Sequence, residues 1–151
     1  MLSFRTLLIL AIAWIASVSA AFAQSGDPEE AAIRAALDNY LQGHATGDGA
    51  FHARVFHPQA RLFWIRDDTL NTRTSADYIA GTSGQPAEDE DQRRRGTTMV
   101  DRTGDAAVAK IVLDYPNALI TDYMSLLKID GSWRIVNKVF HVQPKATAAS
   151  R

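Results

Sequence analysis

The chain has 151 residues, 46% hydrophobic and 22% charged, with a formal net charge of -1 and no cysteine. That length argues for one domain, and the near-neutral charge excludes the Lys/Arg excess of a nucleic-acid binder. The missing thiols exclude disulfides, thiol nucleophiles and thiolate metal sites, so the core alone must hold the domain together.

Arg5 precedes an apolar stretch from Leu7 to Val18, and Ala21-Phe22-Ala23 follows. A short positive region, an apolar run and a small-x-small tripeptide form the pattern of a secretory signal peptide cleaved after Ala23. The run falls short of the about 20 apolar residues that a stable membrane span needs. Residues 1–23 are therefore expected to be removed, leaving Gln24 first in a periplasmic or secreted protein without a stable membrane anchor. Residues 24–28 form a short N-terminal segment, residues 29–143 the domain and residues 144–151 a disordered tail.

Asp27-Pro28-Glu29-Glu30 is a helix start, with Asp27 as cap and Pro28 in the first helical position. Ile33, Ala36, Leu37, Tyr40 and Leu41 recur at helical spacing, and Gly43 is expected to end the helix. A second helix starts at Asp48, carries Phe51, Val55 and Phe56, and stops at His57-Pro58. The period then changes to that of strands. Residues 61–66 and 69–73 read as a hairpin turning at Asp67-Asp68, and Thr74 with Asp77 caps a short helix through Tyr78. Gly81 to Asp91 reads as a mobile surface loop. Strands follow at about 94–102, 106–115 and 120–129, and Asp130-Gly131 makes a tight turn into a last strand at 133–142. Helices first, then strands joined by tight turns, predict an α+β fold with helices on the concave face of a curved, mostly antiparallel sheet. The space between them is the natural ligand pocket.

Three stretches carry a resemblance: Ala32 to Gly43 with the helix turn at Gly47-Asp48, the segment Val55 to Ala60, and above all Asp122 to Lys138. Together they resemble the nuclear transport factor 2-like, or SnoaL-like, superfamily, in the branch labelled "putative lumazine-binding", over nearly all of Glu29 to Val142. The resemblance implies a cone-shaped cystatin-like roll with a small-molecule pocket. It also implies an outer sheet face that often makes dimers, here with Val108 and Val112. No catalytic carboxylate of the superfamily maps onto a particular residue of this chain.

Among the residues themselves, His57 lies where the second helix meets the first strand. It is a candidate acid/base group at a pocket rim, or a ring that fixes the turn through a neighbouring backbone group. Counting by twos from Trp133 and Ile135 puts Asn137 and His141 on the helix-facing side of the last strand. Asp122 shares a strand face with Met124 and Leu126, where burial would raise a carboxylate toward catalytic usefulness or an ion pair with Lys110 or Lys138 would hold it. Lys110 and Asp114 share a face and are expected to take part in a cross-strand ion pair. Trp64, Tyr78 and Tyr123 are expected in the pocket wall, whereas His44 and His52 are expected to face solvent. His52 and His57 are five apart, which does not align ligands on one helix face, so neither metal nor cofactor is expected.

Three functions are consistent with this pattern. The preferred one is an exported protein binding a small, partly apolar molecule inside the cone. The others are an acid/base lyase or isomerase using His57 with Asp122 or His141, and a dimeric interaction module using the outer sheet face.

Overall fold

The computed structural model describes residues 27–146. Helix α1 (Pro28–Thr46) opens with the Asp27 side chain accepting from the Glu29 amide, as the capping pattern predicts. Glu30 pairs with Arg34 one turn on, 2.7 Å away. The helix does not end at Gly43. It continues to Thr46 and closes at Gly47, whose φ of 70° is the left-handed conformation that glycine adopts without cost.

Gly43 has a different reason to be glycine. A Cβ there would stand 2.5 Å from Cε1 of His52, so the missing side chain is what admits the imidazole. His52 lies on α2 (Gly49–Val55), capped by Asp48. This helix yields to strand at Phe56, one residue before the predicted stop.

Strands β1 (Phe56–Arg66) and β2 (Thr69–Thr74) form the predicted hairpin. Asp67 and Asp68 both have positive φ, the backbone of a tight two-residue turn. Helix α3 (Ser75–Ala80) follows, capped by Thr74. The loop after it, expected to be mobile, is tied down: the Gly84 amide donates to the Gly47 carbonyl at 2.9 Å, and a short turn of 3-10 helix forms at Glu90–Gln92. Then come β3 (Arg94–Thr103), β4 (Ala106–Tyr115), β5 (Ala118–Ile129) and β6 (Ser132–Pro144).

The six strands form one curved, unclosed sheet in the order β2-β1-β6-β5-β4-β3, with only the β1–β6 pair parallel. The helices pack on one face over a core that includes Ile33, Leu37, Val55, Leu62, Ile111, Leu126 and Ile135. The proposed signal peptide and residues 147–151 lie outside the described residues.

One irregularity redirects the site. Ser125 pairs with Asn137 and Leu126 pairs with Ile135, so Val136 is an extra residue in β6. A bulge of one residue reverses the alternation beyond it. Trp133 and Ile135 face the helices as expected, but after the bulge it is Lys138 that turns inward, with Asn137, Val139 and His141 on the other face.

Candidate functional site

The last two turns of α1 carry Tyr40 and His44, one helical turn apart on the face that also holds Ile33 and Leu37. Across from them, register sets Met124 beside Lys138 and Asp122 beside Phe140 on the concave face of the sheet. Asp122 and Lys138, with relative exposures of 0% and 3%, form an ion pair at 3.0 Å. The Tyr40 hydroxyl bridges them, donating to Asp122 Oδ2 at 2.6 Å and accepting from Lys138 Nζ at 2.6 Å. Two charges taken out of water need such partners, because an unpaired one would cost several kcal/mol. The Lys138 alternative for Asp122 is therefore the one realised, while Lys110 lies over the Tyr123 ring and Asp114 pairs with Lys145.

A second layer leads from this triad toward the surface. Lys138 Nζ lies 5.4 Å from the centroid of Tyr78. The Tyr78 hydroxyl bonds His44 Nε2 at 2.9 Å, and the Tyr115 hydroxyl bonds His44 Nδ1 at 3.2 Å. His44 thus sits between two phenols, and His52 packs at 5.2 Å from its ring. Arg95 closes the layer with a two-pronged pair to Glu90, one prong at 2.8 Å.

Burial sets the protonation states. It pushes the Tyr40 phenol well above its ordinary range, with the Asp122 charge adding to the effect. It raises Tyr78 and Tyr115 as well. Burial and then the Lys138 charge hold the His44 imidazolium far below its usual range and bring His52 down to about 4. Burial pulls Lys138 down too, opposed by Asp122. At neutral pH both imidazoles are uncharged, each able to donate through one nitrogen and accept through the other.

Two adjoining clefts open onto this layer. One, of about 300 Å³, is lined by Gly43, His44, His52, Arg73 and Tyr78 together with the loop after α3. The other, of about 140 Å³, is walled by Leu62, Trp64, Tyr78 and Phe140 with Arg66 and Arg73 at its edge. Trp64 and Phe140 stack at 5.3 Å. Trp64 and Tyr78 thus stand together at the smaller cleft.

Other candidates are elsewhere. His57 lines a separate cleft of about 430 Å³ beside the β5–β6 hairpin, with Arg134 and Asp130. Its Nδ1 accepts from the Gln59 amide at 3.2 Å, the turn-fixing role. His57 and Asp122 are therefore not brought together, since Asp122 is sealed beneath Tyr40 and Lys138. Tyr123, 48% exposed, and Asn137 lie on the outer face, beside Val108 and Val139. His141 is exposed on that face, because the bulge at Val136 reversed the count.

The residues that sequence reasoning left out of the site are His44, His52 and Arg73. His44 and His52, expected in solvent, are instead packed under the helices. The signal for His44 was its spacing four residues after Tyr40, hidden by ending the helix at Gly43. Lys138 was expected only as one of two possible ion-pair partners of Asp122, because nothing local announces the bulge that turns it inward. Among the described residues no cluster of three or more His, Asp or Glu is arranged to hold a metal ion.

A curved, unclosed sheet with helices on its concave face is the nuclear transport factor 2-like fold, and solved structures agree. A nuclear transport factor 2-like protein of unknown function from Shewanella baltica OS155 is 28% identical, with a TM-score of 0.69 over 78% of this chain and 96% of its own. One from Methylobacillus flagellatus KT is 29% identical, with a TM-score of 0.67 over 80% and 96%. Residues 28–141 match the family described as "Putative lumazine-binding", and the chain belongs to that family. It is also similar to the protein named "Aldolase FrzH" from Cladobotryum sp, at 21% identity over 70% of this chain and 85% of that protein.

Proposed function

We propose that this is an exported small-molecule-binding protein whose ligand enters the two clefts that share Tyr78 and Arg73. The observation that carries the reading is the contrast at those clefts. They are open spaces beside a largely buried, hydrogen-bonded polar layer, lined by aromatic rings and neutral imidazoles. Polar groups in a concave apolar site are what orient a small ligand. The family's lumazine label supports a flat ligand. Export rests on the apolar run at 7–18 and the Ala21-Phe22-Ala23 site, and the mass of the protein recovered from the periplasm tests it by giving Gln24 or Met1 as first residue.

The decisive experiment is native mass spectrometry and crystallography of protein purified from its own compartment. A retained small molecule against Tyr78, lost in Tyr78→Ala, is the expected result. Clefts filled by side chains in the crystal, with nothing bound and no ligand from a small-molecule screen, overturn it.

A second reading, proton transfer beside a carbonyl, is supported by the name of the Cladobotryum relative and by the neutral His52 at the cleft. In that reaction His52 would take the proton from the carbon next to the carbonyl, and the enolate so formed would be held by the Tyr78 hydroxyl. Deuterium uptake from solvent at that carbon of an aryl ketone, abolished in His52→Gln, is the readout. Uptake no faster than in buffer removes it. On the outer face, Met99, Val108, Tyr123 and Val139 are exposed apolar groups around one groove, which supports a homodimer through the sheet.

A further inference from the structure

We infer that the ligand class is a flat aromatic or conjugated carboxylate, lying with its ring in the Trp64–Phe140 cleft and its carboxylate on Arg73. This deepens the binding reading above and rests on it.

The charges at the clefts are one-sided. Neither cleft has an Asp or Glu among its lining residues, while Arg66, Arg73 and Arg93 all reach them. Arg93 is already committed, paired with Asp89 at 2.7 Å and lying over the Tyr115 ring at 4.2 Å. Below, Lys138 is balanced by Asp122 and Arg95 by Glu90. Arg73 has no carboxylate partner among the described residues, and it is the cation that lines both clefts. Its place follows from register. Arg73 pairs with Leu62 on β1, and directly paired side chains share a face, so Arg73 rises from the concave face beside Leu62. Its guanidinium lies 5.8 Å from the centroid of the Trp64 ring, within reach of a ligand stacked there.

The smaller cleft sets the other half of the ligand. Its walls are Leu62, the stacked Trp64–Phe140 pair and the Tyr78 face, which suit a thin apolar body. Among the residues lining the clefts, Trp64 and His52 each have a buried ring nitrogen, Nε1 and Nδ1, without a protein partner. Trp64 Nε1 carries a hydrogen and can only donate. A guanidinium takes a carboxylate through two parallel hydrogen bonds, which a neutral amide cannot reproduce.

The test is titration of the purified mature protein with cinnamate and with its neutral amide, followed by calorimetry, with lumazine as a third probe. Cinnamate should bind at least about tenfold tighter than cinnamamide, as expected when a charge-assisted pair replaces a neutral one. Arg73→Met should erase that preference without lowering amide affinity, and Arg73→Lys should restore part of it. Trp64→Leu should weaken both ligands. Arg73 is solvent-exposed, so its variants are expected to fold. Equal affinities, a preference that survives Arg73→Met, or cinnamate binding untouched by Trp64→Leu would overturn the inference. Amide or lumazine binding without a carboxylate preference would leave the general binding reading standing. Failure of all three probes to bind at millimolar concentration would remove the inference, and with a closed pocket in the crystal it would remove both.

Discussion

The first turns of α1 and its last turns are buried to similar depth, yet they bury different chemistry. Ile33 and Leu37 join an aliphatic core with Val55, Leu126 and Ile135. Tyr40, Gly43 and His44 meet Asp122, Lys138, His52, Tyr78 and Tyr115 instead. In the aliphatic half any well-fitting hydrocarbon gains nearly the same burial energy, so shape is the main constraint. In the polar half each group depends on a specific partner, and losing one leaves another orphaned in low dielectric. One helix thus supplies the fold with one end and the candidate site with the other.

The sharpest way to break this contrast is to unpair the buried charges. Asp122→Leu strands the Lys138 ammonium and should cost about 3–5 kcal/mol in urea unfolding. The double variant Asp122→Leu/Lys138→Met should recover most of that loss, since an apolar replacement of the whole pair removes both desolvation penalties. A double variant as unstable as the single one would mean that the pair is not the polar half's main liability.

Acid should find the same half next. His52 has a folded pKa of about 4 against an ordinary 6.5, so between those values the unfolded chain binds more protons. Stability is then complete above about pH 6.5 and falls as pH drops toward 4, by on the order of 3 kcal/mol, with His44 acting in the same direction. His52→Gln should flatten that window of the stability–pH curve, and an unchanged slope would contradict the assignment. The carboxylates held low by partners, such as Glu29 beside Lys128, lose their contribution only at more acidic pH.

Gly43→Ala tests the seam between the halves. Alanine would ordinarily favour a helix interior by about 1 kcal/mol, but here its methyl meets the His52 ring. A net loss of about 1–3 kcal/mol is expected, largely relieved in Gly43→Ala/His52→Ala. The smallest effect on stability should come from the outer face. Val108→Lys should leave the urea midpoint within about 0.5 kcal/mol while shifting sedimentation toward monomer. A monomeric wild-type protein at high concentration would count against the dimer.

Much of this fold was legible beforehand, because its signals are local. Asp27-Pro28, Asp48 and Thr74 each cap the helix that their side chains predict. Asp67-Asp68 and Asp130-Gly131 turn with positive φ where the strand periodicity breaks. The site was legible only in part. Trp64 and Tyr78, expected in a pocket wall, both line the smaller cleft. Asn137 and His141 were misplaced by a single extra residue at Val136, and Tyr123 lies opposite to its expected side.

The sequence by itself determined the α+β class, the order of elements, the caps and the turns, since these depend on contacts a few residues apart. Only the tertiary structure decided which polar side chains are buried. Tyr40 meets Asp122 across 82 positions and Lys138 across 98. Those meetings depend on strand register, on one bulge and on the space left at Gly43, and such properties exist only once the helix and sheet have packed.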